Sequence, residues 1–217
     1  MLPPQENYHL ARQLAVEALL KSDLQQRAAL SGGRLEPGPG REVRMRLRYL
    51  GRDLLLCFPR GTIDAEEGQE LIPLREQILI LHYLERASET SVAGRWISFC
   101  EVPGGIFYHP VFLKRCKSPL VKFFSDGPEN LESVAAEMGG EPLDFGDEGA
   151  KIQVLPFVPL GLIVWRGDGE FPAEGNLLFD ASVGEYLSVE DIVTLAETVV
   201  WKLIKGGRKA RGVGPTA

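Results

Sequence analysis

Between Tyr8 and Leu30 the apolar residues Leu10, Leu14, Ala18, Leu20 and Leu24 fall at helical spacing, and Ser31-Gly32-Gly33 supplies a stop. The pattern predicts one amphipathic helix. The next stretch, RLEPGPG, reads as a loop. From 43 the period changes to two: 43–50 and 53–58 read as two strands of a hairpin, and Gly51-Arg52 between them suits a type II′ turn with glycine leading. After Pro73 the run LREQILILHYLERASE returns to a helical period, with Leu74, Ile78, Leu81 and Leu84 near one face. Leu79 and Ile80 widen that apolar surface, which predicts a helix buried on most sides.

RWISFCEVPGG reads as a strand ending in a Gly-Gly turn, after which Pro110 and Pro119 divide the chain into short helices, with Ser118 as N-cap and Pro119 at N1. In ENLESVAAEMGG, Leu131, Val134, Ala135 and Met138 keep helical spacing up to Gly139. KIQVLPFVPLGLIVW gives two strands around Pro156 and Pro159, the second, 160–165, apolar enough for a central position. Residues 176–180 add another. Ser188 and Asp191 approximate a capping box before IVTLAETVVWKLIK, and 206–217 read as a disordered basic tail. The expected fold is a single α+β domain over 1–205, an antiparallel sheet built from hairpins and flanked by helices.

A chain of 217 residues with 44% hydrophobic content supports its own core without metal or disulfide staples. Cys57, Cys100 and Cys116 are odd in number and widely spaced, so neither a disulfide framework nor a self-contained zinc or iron–sulfur site is signalled. No signal peptide or spanning segment stands out, which with the cysteines predicts a cytoplasmic protein. A formal net charge of −6 disfavours nucleic acid as a partner.

Against that charge, Arg44, Arg46 and Arg48 alternate along one strand. With a Gly51-Arg52 loop, Leu50 pairs with Asp53, Arg48 with Leu55 and Arg46 with Cys57, so one face of the hairpin is apolar and the other carries the arginines. Two readings stay open for the stripe. Its stems cover apolar neighbours while its heads pair with carboxylates, or it forms a recessed site for carboxylate or phosphate.

Other constellations are sparse. Asp168 and Glu170 follow an apolar strand in WRGDGEF and Asp180 ends the next, so together they form a candidate hard-cation or acid–base centre; solvated turn residues are the plain alternative. Cys116 stands among Lys114, Arg115 and Lys117, which favour a thiolate, against an ordinary unreactive thiol. His82 lies on the apolar face of its helix and reads as a hydrogen-bonded core histidine. His109, in a turn before Pro110, is freer to reach a ligand or metal. No nucleophile elbow, G-x-G-x-x-G or Walker A loop occurs.

In ILHYLERA, GRWISFCEVPGG and LPFVPLGLIVWRGDGEFPAEGNLLFDASVGEYLSVEDI, in that order, the chain resembles the domain of unknown function 3786 family of anaerobic bacteria and archaea. The likeness is specific from about Ile78 to Lys205. Family members are often fused to, or stand beside, four-iron–four-sulfur cluster domains of the type seen in corrinoid proteins. The resemblance implies that setting, and since this chain lacks a cysteine cluster, an iron–sulfur centre would belong to a partner. Trp96, Gly104, Gly105, Pro156, Trp165, Asp168, Glu170, Phe171, Asp180, Tyr186, Glu190 and Asp191 stand on family motifs, with no role attached to any of them.

Three functions compete. The first is an accessory binding module for a corrinoid or heme-like tetrapyrrole, or one that docks on an iron–sulfur or methyltransferase partner. Its candidate binding residues are Arg44, Arg46, Arg48, Trp96, His109 and Trp165, with Phe171 beside them. The second is an enzyme using Asp168, Glu170 and Asp180, alone or with a divalent metal. The third is a purely structural role, marked by an exposed apolar patch or a homodimer.

Overall fold

The computed structural model describes residues 5–65, 71–125, 130–168 and 170–210. The N-terminal helix is broken into α1 (Gln5–Lys21) and α2 (Leu24–Ser31). The break lies at Asp23, whose carboxylate accepts from the amides of Gln25 at 2.8 Å and Gln26 at 3.2 Å. A side chain that caps new amide groups competes with continuing the old helix, a contest the apolar spacing does not register.

The expected loop after α2 is instead a strand, β1 (Arg34–Pro37), antiparallel to β2 (Val43–Tyr49). Pro37 is tolerated because it ends an edge strand. β2 and β3 (Arg52–Phe58) form the expected hairpin, but its turn is Leu50-Gly51, with φ of 47° and 74°, and its pairs are Arg48 with Asp53, Arg46 with Leu55 and Arg44 with Cys57. This corrects the register by two residues. An even shift leaves the faces unchanged, so Met45, Leu47, Tyr49, Leu54, Leu56 and Phe58 still share the buried side. The left-handed conformation of Leu50 is offset by tertiary contacts: its side chain is buried, and its amide donates to Val154 in the second sheet at 3.0 Å. Gly51 is required beside it, since a Cβ there would lie 2.9 Å from the Met138 carbonyl oxygen. β4 (Thr62–Ala65) completes a four-stranded meander.

α3 (Leu74–Arg86) follows, with Ile78, Leu79, Ile80, Leu81, Tyr83 and Leu84 all buried, as its near-continuous apolar run predicts. The second sheet has the order β5-β9-β8-β7-β6, from β5 (Trp96–Ser98), β6 (Glu141–Pro142), β7 (Glu148–Leu155), β8 (Val158–Trp165) and β9 (Glu174–Asp180). β8 is the middle strand and is buried at every position before Trp165. The chain is therefore α+β, with two antiparallel sheets rather than one.

Pro110 and Pro119 do not divide the stretch that follows β5. α4 (Gly105–Phe112) runs through a π-helical turn, Leu113–Lys117, into α5 (Ser118–Phe124). In the widened turn the Ser118 amide bonds to the Leu113 carbonyl, so Ser118 lies inside the helical run and is not a cap. α6 (Leu131–Ala136) is capped by Asn130, which accepts from the Ser133 amide at 2.9 Å. After α7 (Val183–Tyr186), α8 (Val189–Ala210) follows Ser188, whose hydroxyl oxygen accepts from the Asp191 amide at 3.2 Å, and it continues through Gly206-Gly207 instead of ending at 205. The second glycine is buried, and a Cβ on the first would meet Val134 of α6 at 3.2 Å, so the pair marks a close helix contact. The rest of the expected tail, 211–217, lies outside the described residues. A continuous apolar core runs from Ala15 to Ile204 across both sheets. Among the described residues no helix is long and apolar enough to cross a membrane.

Candidate functional site

The arginine stripe lies on the outer face of the first sheet. Arg44 pairs with Glu42 at 2.9 Å, Arg46 with Glu36 at 2.5 Å and Arg48 with Asp53 at 3.1 Å. Hydrogen bonds from Arg44 and then Arg60 hold the Glu42 carboxyl below its ordinary pKa. The guanidinium forks thus meet carboxylates of their own sheet.

The other proposed ligand residues lie on different elements, and the two tryptophans flank opposite ends of one strand. Trp96 pairs with Asp180 at one end of β9, while Trp165 pairs with Glu174 at the other. Six strand steps separate those ends, roughly 20 Å. His109 is in α4, part of a helix and not of a turn. The six residues therefore do not form one pocket.

The carboxylate centre is likewise not assembled. Asp168 accepts from the amides of Glu170 at 2.8 Å and Phe171 at 2.7 Å, the bonds of a turn, and these amides, Phe171 first, lower its pKa. Both Asp168 and Glu170 are exposed beyond the Trp165 end of the sheet. Asp180, at the opposite end, is buried and accepts from the amides of Ala93, Gly94 and Ser182 and from the Ser182 hydroxyl. Burial raises its pKa, but the Ser182 and backbone donors outweigh it and the carboxyl stays below its ordinary value. Among the described residues no group of three His, Cys, Asp or Glu side chains is placed to hold a metal.

Cys116 is fully buried, with its thiol donating to the Val193 carbonyl at 3.6 Å. Burial, then the charge of Glu197, pushes its pKa up to about 12, which excludes the thiolate reading.

What the fold does assemble is a cleft of about 780 Å³ between the β2–β3 turn, the Met138-Gly139 turn and the exposed side of α8. Arg52, Arg75, Lys202, Lys205 and Lys209 line it. At its base the buried Glu76 accepts from the Tyr49 hydroxyl at 2.8 Å and meets Lys202 at 3.1 Å. Burial, then the charge of Glu76, raises the Tyr49 pKa well above 10, so the phenol stays a donor. Of the other two acidic side chains in the lining, Glu197 already bridges Arg75 at 2.8 Å and Arg115 at 3.0 Å. Trp201 stands at the wall with 47% of its surface exposed.

Arg75 also lines an adjoining groove with Tyr108, His82 and Asp191. Here His82 Nδ1 lies 2.9 Å from Asp191, whose other oxygen accepts from the Ser188 hydroxyl at 2.6 Å. Tyr108 donates to Glu190 on the same rim. A histidine held through Nδ1 on a carboxylate can carry a proton at its other nitrogen. The hydrogen bond expected of His82 is made with Asp191, but the ring lies half-buried in the groove lining and not in the core.

The sequence reading missed the cleft. A usable signal lies in Trp201, Lys202, Lys205 and Lys209, which recur at near-helical intervals, although the last of these falls within the expected tail. Glu76 gave a second signal as an acid on an otherwise apolar helix face.

The model of the family described as Domain of unknown function (DUF3786) matches residues 23–202. The chain belongs to that family. No curated protein and no solved structure matches it. In this DUF3786 chain several motif residues have structural work: Asp180 holds the loop before β5, and the Tyr186 hydroxyl donates to the Thr90 carbonyl in the same loop. Gly105 is forced by space, since a Cβ there would lie 1.9 Å from the Phe99 carbonyl oxygen. Glu190 and Asp191 differ, because both open onto the groove beside the cleft.

Proposed function

We propose that this protein is a binding module that holds an anionic ligand in the cleft between the β2–β3 turn and α8. The observation that carries the reading is charge segregation. Five basic side chains face three acids in one cleft of an acidic chain, and two of those acids pair with Arg75 and Lys202 of the same five, which leaves the lining with an excess of positive charge. Its volume falls in the range of roughly 300–1,000 Å³ that small-molecule sites occupy, and Trp201 offers a flat apolar wall.

The setting implied by the family resemblance, beside iron–sulfur and corrinoid proteins, makes tetrapyrroles the first ligands to try. Hemin carries propionates and cobalamin a phosphodiester, and both have an apolar ring that Trp201 can cover. An accessory protein of this kind would receive its ligand from, or pass it to, a cofactor-bearing partner such as a methyltransferase. Anaerobically purified protein is titrated with each compound and followed by absorbance and gel filtration. The expected result is a saturable shift with co-elution, weakened about tenfold or more by Lys205→Glu with Lys209→Glu and left unchanged by Arg44→Ala. An unshifted spectrum without co-elution overturns the tetrapyrrole form. A shift insensitive to the lysine changes places the site elsewhere.

A further inference from the structure

On the far side of Trp201 from the ligand cleft lies a second groove of about 400 Å³, between α5 and the C-terminal half of α8. Phe123, Ile204 and Trp201 give it an apolar floor, and Lys114, Lys122 and Arg208 stand over it. No acidic side chain lines it among the described residues. These three cations are exposed, and none forms an ion pair with another described residue. Their neighbours behave otherwise: Arg115 is neutralised by Glu197 and Lys117 by Glu174. In a chain with more acids than bases, a groove of cations that no described acid neutralises, around a half-exposed tryptophan, is complementary to something else.

We propose that this groove docks an acidic segment of a partner protein, one that places a bulky apolar side chain between Trp201, Phe123 and Ile204 and carboxylates against Lys114, Lys122 and Arg208. Charge complementarity selects the occupant. A floor this apolar rewards burial of a hydrophobic anchor, and tryptophan and arginine are the residues on which binding energy concentrates at protein interfaces. A nucleic acid fits less well, because its charge continues along the strand, while the basic groups here converge on one compact groove of a molecule with net charge −6. The cations would steer the encounter and fix the register, and the apolar anchor would hold the complex. The inference rests on the groove alone and stands whether or not the cleft beyond Trp201 binds a small ligand.

The test uses a fluorescein-labelled peptide of glutamates flanking a single leucine-tryptophan pair, with fluorescence anisotropy as the readout on the full chain. Saturable binding is expected, weakened about tenfold or more by Lys122→Glu with Arg208→Glu, by replacing the peptide's glutamates with glutamine, and by about 0.5 M salt. Arg44→Ala, on the outer face of the first sheet, is expected to leave it unchanged. Circular dichroism and the thermal midpoint verify that the exposed charge reversals leave the fold intact, and Lys122→Ala with Arg208→Ala provides a milder second variant. Absence of peptide binding overturns the proposal, as does binding that ignores both pairs of substitutions. Tighter binding to a single-stranded oligonucleotide or to phosphatidylserine vesicles overturns it in favour of those partners.

Discussion

Asp180 accepts four hydrogen bonds while exposing 3% of its surface, and each donor lies in the loop before β5 or at the start of the turn after β9. From the sequence it looked like one arm of a cation site, because a strand-end aspartate near two other acids gives no sign of which way the intervening strand runs. Its actual role is measurable. Asp180→Ala strands buried donors and is expected to cost about 2–4 kcal/mol, with Asp180→Asn costing less because one acceptor oxygen remains. The lowered pKa sets the pH window: the carboxylate's contribution is present above its unfolded value of 3.8 and is lost as pH falls through the lower folded value. Urea titrations at neutral pH and near pH 3 check both statements. A neutral-pH loss below about 0.5 kcal/mol would show that the carboxylate is not the clamp it looks to be.

Among the elements, α3 and α8 position both the cleft and the adjoining groove, and one of the ties between them is His82 to Asp191. The Asp191 hydrogen bond raises the His82 pKa against the opposing effect of burial. Burial in turn raises the Asp191 pKa, but the hydrogen bonds from His82 and then Ser188 outweigh it and leave the carboxyl low. The histidine's contribution is therefore complete below its unfolded value of 6.5 and disappears as pH rises through the raised folded value. That of Asp191 is present above 3.8 and is lost below its lowered folded value. The difference in urea midpoint between wild type and His82→Gln should be largest near pH 5.5 and shrink toward pH 8.5. A constant difference across that range would mean that His82 is held by packing alone. The sequence could assign His82 a hydrogen bond, but neither its half-buried place at the groove nor its partner 109 residues away.

For the whole molecule, one apolar core spanning both sheets predicts one cooperative transition. Trp96, Trp165 and Trp201 report on the second sheet and α8, whereas circular dichroism reports on all helices and strands. Their urea curves should coincide; separated midpoints would divide the chain into independently stable halves. Local periodicity sufficed for the α+β class, the hairpin with its buried face, the buried α3 and the central position of β8, since each follows from which residues must leave water. It also placed the arginines on the opposite face of the hairpin. Which carboxylates meet those arginines, where the two-residue turn falls, and whether Gly206-Gly207 ends a helix depend on chains that approach from elsewhere: Glu36 and Glu42 from the neighbouring strand and turn, Val154 against Leu50, Val134 against α8. The cleft belongs to this second group. Its five cations are drawn from β3, α3 and α8, and only the packing of these elements across the core turns separate basic residues into one electrostatic surface.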